Sequence, residues 1–114
     1  MFEFNSKYWL ITDCWQGLDV YCSDNLNDWI KQDSRILEEG GTRTDDGVIA
    51  NHADVVVNGD KAYIFYFTHP ERKGNMLDDT NAGERRTSIQ AAELEVKDGR
   101  LICDRNKQIS INLR

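Results

Sequence analysis

The sequence predicts an all-β protein made of antiparallel four-stranded propeller blades, and three observations carry that expectation. Aromatic and β-branched runs at 8–12, 18–23, 53–57, 62–68, 88–96 and 100–103 are separated by Gly, Asn and Asp turns. No stretch repeats apolar residues with the period of an amphipathic helix. A faint internal repeat relates Lys7–Thr12 to Lys61–Thr68 at an offset of 55 or 56 residues. Each copy is an aromatic strand, a polar loop, a second strand and a turn, the content of one blade.

The elements follow in order. After the strand at 18–23, Ser23 to Trp29 could form one helical turn capped by Ser23 or Asp24, although its Asn and Asp residues favour a loop. It leads into a further strand from about Ile30 to Leu37. The run Ala62 to Phe67 is apolar on both faces, which suits a strand covered on two sides. Ala91 to Val96 alternates and reads as a half-exposed neighbour, and Asp98-Gly99 supplies a hairpin turn into Leu101–Cys103. Two polar segments are left over: 42–54, and a long insertion from His69 to Thr87. The repeat divides the chain near residue 50, with about 1–50 the remainder of one blade and about 51–114 the next.

Composition narrows the function classes. The chain is 39% hydrophobic and 30% charged with one proline, the profile of a folded domain. A net charge of −6 repels phosphate backbones and anionic lipid, so neither nucleic acid nor a membrane is an expected partner. The N-terminal residues lack the basic and apolar regions of an export signal, which makes a cytoplasmic location the default. Cys14, Cys22 and Cys103 have no Cys-x-x-Cys spacing and are expected as reduced thiols, although Cys14 and Cys22 could face each other across a hairpin. No phosphate loop, Ser-His-Asp order or clustered metal ligands are visible, and no cofactor is expected.

Tyr8-Trp9-Leu10-Ile11-Thr12, followed by Leu18 to Trp29 with its Ser23-Asp24-Asn25-Leu26-Asn27-Asp28-Trp29 ending, resembles the first blade of the five-bladed propeller glycoside hydrolases of family 43. Asn51-His52-Ala53-Asp54-Val55-Val56-Val57 and Gly59 to Tyr66 are similar to the innermost strand of the following blade and its neighbour. The resemblance covers about residues 6 to 104. It departs from the family where His52-Ala53-Asp54 lacks the usual proline, and in the long insertion, features nearer the family 117 relatives that act on agar-derived sugars. It implies an oligosaccharide or polysaccharide-derived substrate held in a central pocket. It also implies that this chain carries about two blades and lacks two of the three carboxylates an inverting hydrolase of this type uses, the general base and the general acid.

On that resemblance Asp54, at the start of the strand nearest the axis, is the first catalytic candidate. His52, two residues earlier, lies on the same side in an extended segment and is the second. Asn51 heads the same motif and joins the substrate-binding set. Arg43, Asp45 and Asp46 offer a guanidinium and carboxylates that suit paired sugar hydroxyls. Trp15, in the polar turn Asp13 to Gly17, is a candidate stacking platform, whereas Trp9 and Trp29 read as core. His69 and Arg86 bracket the long loop and could line its base.

The alternative is a non-catalytic carbohydrate-binding or protein-interaction β-module; a third reading is an unrelated small β-domain. Two blades alone have apolar surface to hide, at ~25 cal/mol per Å². The chain is therefore expected to self-associate, as a homo-oligomer, or to pack its sheets into a sandwich, with Trp9, Tyr63, Phe65 and Phe67 among the buried residues.

Overall fold

Three two-residue turns set the strand register in a computed structural model that describes residues 1–73 and 81–111. Phe4 pairs with Lys7 across Asn5-Ser6 (φ 53° and 63°), Asn58 with Lys61 across Gly59-Asp60, and Lys97 with Arg100 across Asp98-Gly99 (φ 53° and 76°). Positive φ in such turns matches the twist of the flanking strands.

The strands are β1 (Phe2–Phe4), β2 (Lys7–Asp13), β3 (Leu18–Ser23), β4 (Ile30–Lys31), β5 (Asn51–Asn58), β6 (Lys61–Thr68), β7 (Ser88–Lys97) and β8 (Arg100–Cys103), with one helical turn, α1 (Ala82–Arg85). They form two four-stranded antiparallel sheets in sequence order, β1-β2-β3-β4 and β5-β6-β7-β8, and neither sheet closes on itself. The protein is therefore all-β, as expected.

Three local expectations are corrected. Strand β1 was not anticipated, because three residues carry too little pattern to register. The strand expected over 30–37 stops at Lys31: Gln32 still donates to the Val20 carbonyl, but Asp33-Ser34-Arg35 bulges out before Ile36 bridges back to Leu18. Arg35 is drawn outward to Asp19 at 3.0 Å, and Lys31 reaches the same carboxylate at 3.1 Å. Trp29 is half-buried and not core, its indole N–H donating locally to the Leu26 carbonyl at 3.1 Å. Ser23 does cap the turn that follows it, accepting from the Asn25 and Leu26 amides, yet no helix forms there. Of the expected 69–87 insertion, residues 74–80 lie outside the described residues, and α1 closes the rest with Asn81 as its cap.

One apolar core lies between the sheets. The first sheet contributes Phe4, Trp9, Leu18 and Val20, the second Ala62, Ile64, Tyr66, Ala92, Leu94 and Leu101, and the connecting segment adds Ile36, Leu37 and Ala50. Trp9 is fully buried and its indole N–H donates to the Phe4 carbonyl at 2.9 Å. Tyr63 is buried on the far face of the second sheet, where Phe65 and Phe67 are half-buried and Ile89 is 82% exposed. The three thiols are free.

Polar contacts fasten the sheets at both ends. Gln32 treats the edge of β8 as a strand would, its amide oxygen accepting from the Leu101 N–H (2.8 Å) and its nitrogen donating to the Leu101 carbonyl (3.0 Å). Deeper in, Asp46 has no solvent exposure. Its carboxylate accepts from Arg43 Nη2 at 3.0 Å, from Arg105 Nε at 3.2 Å and from the Tyr66 hydroxyl at 3.0 Å. Arg43 and Arg105 donate onward to the Ala91 and Glu39 carbonyls. Every donor in this cluster is thereby directed at an acceptor, the condition under which a buried ion pair is tolerated.

Removing the carboxylate would leave Arg105 buried without its counter-charge. Asp46→Ala is expected to cost about 3–5 kcal/mol, read as a lower urea midpoint. Burial pushes the Tyr66 phenol up to about 12 from an ordinary 10.0, and the Cys103 thiol up to about 12 as well. A raised folded value means stability that is complete below the ordinary value, 10.0 for Tyr66 and 9.0 for Cys103, and is lost as the pH rises toward 12. Tyr66→Phe is expected to remove about 1.4 kcal/mol of that alkaline decline between pH 8 and pH 11, since pH 11 lies one unit above the unfolded value, measured by denaturation at the two pH values.

Candidate functional site

Aromatic rings from both sheets meet where β2 ends and β5 begins. Strand β2 finishes at Asp13, and the chain returns to β3 through Cys14-Trp15-Gln16-Gly17. Asp13 Oδ1 accepts the Trp15 backbone N–H at 2.8 Å, the local bond by which aspartate opens a turn. Trp15 stands at φ 65° and is 63% exposed. Gly17 is required at its place, since at φ 93° an added Cβ would lie 2.6 Å from the Glu38 backbone.

On the second sheet, Asn51 pairs with Phe67 and Asp54 with Phe65, so β5 has one residue more than β6 in that interval. This bulge falls at His52, which takes φ 41° and donates its backbone N–H to Asp13 Oδ2 at 3.1 Å. Bulges re-aim side chains. The His52 ring lies 5.4 Å from Phe67 and meets Trp15 edge-on at 5.9 Å and 84°. Phe67 in turn meets His69 edge-on at 5.4 Å. The result is a row, Trp15–His52–Phe67–His69, open to solvent at its Trp15 end and closed at His69, whose Nδ1 is buried without a hydrogen-bond partner among the described residues.

The remaining candidates are placed as follows. Asp54 is exposed and its carboxylate accepts from the adjacent Val55 amide at 2.9 Å. The bulge breaks the simple alternation that was expected to align it with His52, and the contacts of His52 run to Asp13, Trp15 and Phe67 instead. Arg43, whose side chain is 28% exposed, and the fully buried Asp46 are paired in the internal cluster, and Asn51 is buried with its side chain donating to the Ile49 carbonyl. Asp45 takes φ 61°, accepts from both terminal nitrogens of Arg86 at 3.2 Å, and its carbonyl accepts from Thr68 beside His69. Arg86 also holds Glu71 at 2.9 Å, tying together the two ends of the 69–87 segment.

Asp13 is the residue that the sequence reading missed. It was visible only as one polar residue of a turn, and its second partner, His52, is 39 positions away. Among the described residues, no group of three or more His, Cys, Asp or Glu is placed to hold a metal ion. A surface concavity of about 440 Å³ lies elsewhere, between Ser34–Gly40 and Leu101–Asn106. It holds none of the row.

Comparison of the chain with protein-family models found none that matches, and comparison with curated proteins found no match.

The Arg86 hydrogen bonds hold the Asp45 carboxyl below its ordinary 3.8. A depressed folded value gives stability that is present above that pH and is lost as the pH falls below it. The pair is exposed and the effect small. In thermal scans from pH 6 down to pH 3, Asp45→Asn is expected to lose less stability than the wild type, relative to each protein's own value at pH 6.

Proposed function

We propose that this chain is part of a carbohydrate-active protein of the glycoside hydrolase type, with two propeller blades and a saccharide held at the Trp15–His52 end of the aromatic row. The row carries the reading. An exposed indole set against an exposed imidazole offers what a sugar ring requires: an apolar face for its C–H surface, and a ring nitrogen for a hydroxyl.

The packing of the sheets supports the blade assignment. Lys7 and Lys61 each follow the first turn of their sheet, so the structural repeat is 54 positions and not the 55 or 56 suggested by side-chain character. Trp9 is then the counterpart of Tyr63, and Leu10 of Ile64. Trp9 faces the second sheet, while Tyr63 faces away from the first. The sheets therefore stack front to back, as successive blades do, and not face to face around a two-fold axis. Strands β1 and β2 lie against β5, bringing the leading edges of both sheets together.

Binding without hydrolysis is the second reading, and the carboxylates favour it. Both oxygens of Asp13 are occupied by backbone amides, and Asp54 stands apart from the imidazole. Hydrolysis by inversion or retention needs two carboxyl groups across the scissile bond.

Titration calorimetry with xylotetraose and neoagarotetraose separates these outcomes. Binding that weakens about tenfold in Trp15→Ala, the order of one lost ring contact, supports the site. Loss of binding in Asp54→Ala supports the hydrolase assignment of that residue. Binding unaffected by Asp54→Ala, with no turnover of either saccharide, selects the binding module. No binding by the wild type removes the carbohydrate reading.

A further inference from the structure

Trp15 and His52 both stand in left-handed backbone, at φ 65° and 41°. That region crowds a Cβ against the following carbonyl, and for a residue as bulky as tryptophan it is an outlier. Such strain persists only where its surroundings over-determine it, and it gathers at functional sites. Here one of the two residues lies in the turn between β2 and β3 and the other in β5 of the second sheet, 37 positions apart in sequence, yet one side chain restrains both.

That side chain is Asp13, whose Oδ1 accepts from the Trp15 amide at 2.8 Å and Oδ2 from the His52 amide at 3.1 Å. We infer that Asp13 is the positioning residue of this site: one carboxylate, with one oxygen for each sheet, holds Trp15 and His52 in left-handed backbone so that their rings form a ready-made edge-to-face corner for a single pyranose ring. The side chain of Asp13 is only 13% exposed, so it acts through its neighbours and not on a ligand. His52 Nδ1 lies 3.8 Å from Asp13 Oδ2, which leaves Nε2, on the far side of a ring 61% exposed, for a sugar hydroxyl.

The carboxylate is required as such. Both of its oxygens act as acceptors, whereas an asparagine has one acceptor and would turn its NH₂ toward one of the two amides. Asp13→Asn, nearly identical in shape, must therefore release either Trp15 or His52. A restrained corner is also the economical way to bind a small ring, because the side chains lose little freedom when the ligand arrives.

The sugar in that corner rests on the proposed saccharide reading; the clamp does not. Two measurements on the isotopically labelled 114-residue chain test the clamp alone. Nuclear Overhauser contacts between the Trp15 indole and the His52 imidazole are expected in the wild type and are lost in Asp13→Asn, while contacts of the buried Trp9 ring persist. Trp15→Gly, which relieves the left-handed strain, is expected to raise Tm by a few degrees. Ring contacts that survive Asp13→Asn, or a Trp15→Gly chain no more stable than wild type, overturn the inference; the second measurement holds even if Asp13→Asn does not fold.

Calorimetry with xylotetraose and neoagarotetraose then tests the ligand. Wild-type binding weakened about tenfold in Asp13→Asn, as expected when one face of the corner swings away, supports the positioning role. Equal binding by both proteins overturns that role and leaves the saccharide reading intact. A wild type that binds neither sugar while the clamp behaves as expected sinks the saccharide reading and upholds the clamp.

Discussion

The buried carboxylate of Asp46 is the constraint on which the remainder of this structure depends. The segment between β4 and β5 must leave the far edge of one sheet and enter the near edge of the other, and it has no ladder of its own to hold it. Asp46 supplies the anchor, gathering Arg43 from the same segment, Tyr66 from the middle of β6, and Arg105 from beyond β8. Because its partners come from three separate stretches, the cluster forms only when the second sheet is complete. With the anchor in place Ile36, Leu37 and Ala50 fall into the core, Asp45 is delivered to Thr68 and Arg86, and β5 enters at the position where its bulge turns His52 toward Asp13. A buried charge is an expensive anchor, and its return is geometric specificity more than net stability.

Much of the fold was legible in the sequence, because strands advertise themselves through local pattern. The apolar run at 62–67 was rightly read as a strand but not as one covered on both sides: Ala62, Ile64 and Tyr66 face the core, whereas Phe65 and Phe67 on the other face are half-buried beside the exposed Ile89, with no sheet over them among the described residues. Asp98-Gly99 marked its hairpin, whereas Asn5-Ser6 makes a turn of the same shape without the glycine that would have announced it. The 30–37 strand was over-read for a different reason: its residues suit a strand, but Asp19 draws Lys31 and Arg35 to itself, and that pull belongs to tertiary contact.

The candidate site was half legible. Trp15, His52 and His69 were selected one by one as residues able to meet a sugar, and the fold brings all three into one row. Phe67, the link between them, looked like any aromatic residue of a strand. Asp13 was hidden because its importance arises from a bond to a residue on the other sheet. Arg43 and Asp46 were read as ligand contacts: a guanidinium and a carboxylate three residues apart suit a ligand and a structural ion pair equally well, and here they pair with each other, Asp46 fully buried and Arg43 28% exposed. The bulge in β5 was equally invisible, since an extra residue in a strand is defined by the partner strand and not by its own sequence.

The front-to-back stacking of the sheets gives the molecule a polarity. Two sheets related by a two-fold axis would hide like faces against each other and leave like faces outside, with nothing to distinguish the ends. Here the ends differ: one displays Tyr8, Leu10 and Tyr21, the other Phe65, Phe67 and Ile89. A stack built by this rule has a head and a tail and no natural terminus of its own. Growth by the same contact either curves round until tail meets head or runs on as a filament, and the angle between one sheet and the next decides which. The twist of two small sheets is thereby also the variable that separates a closed particle from a fibre.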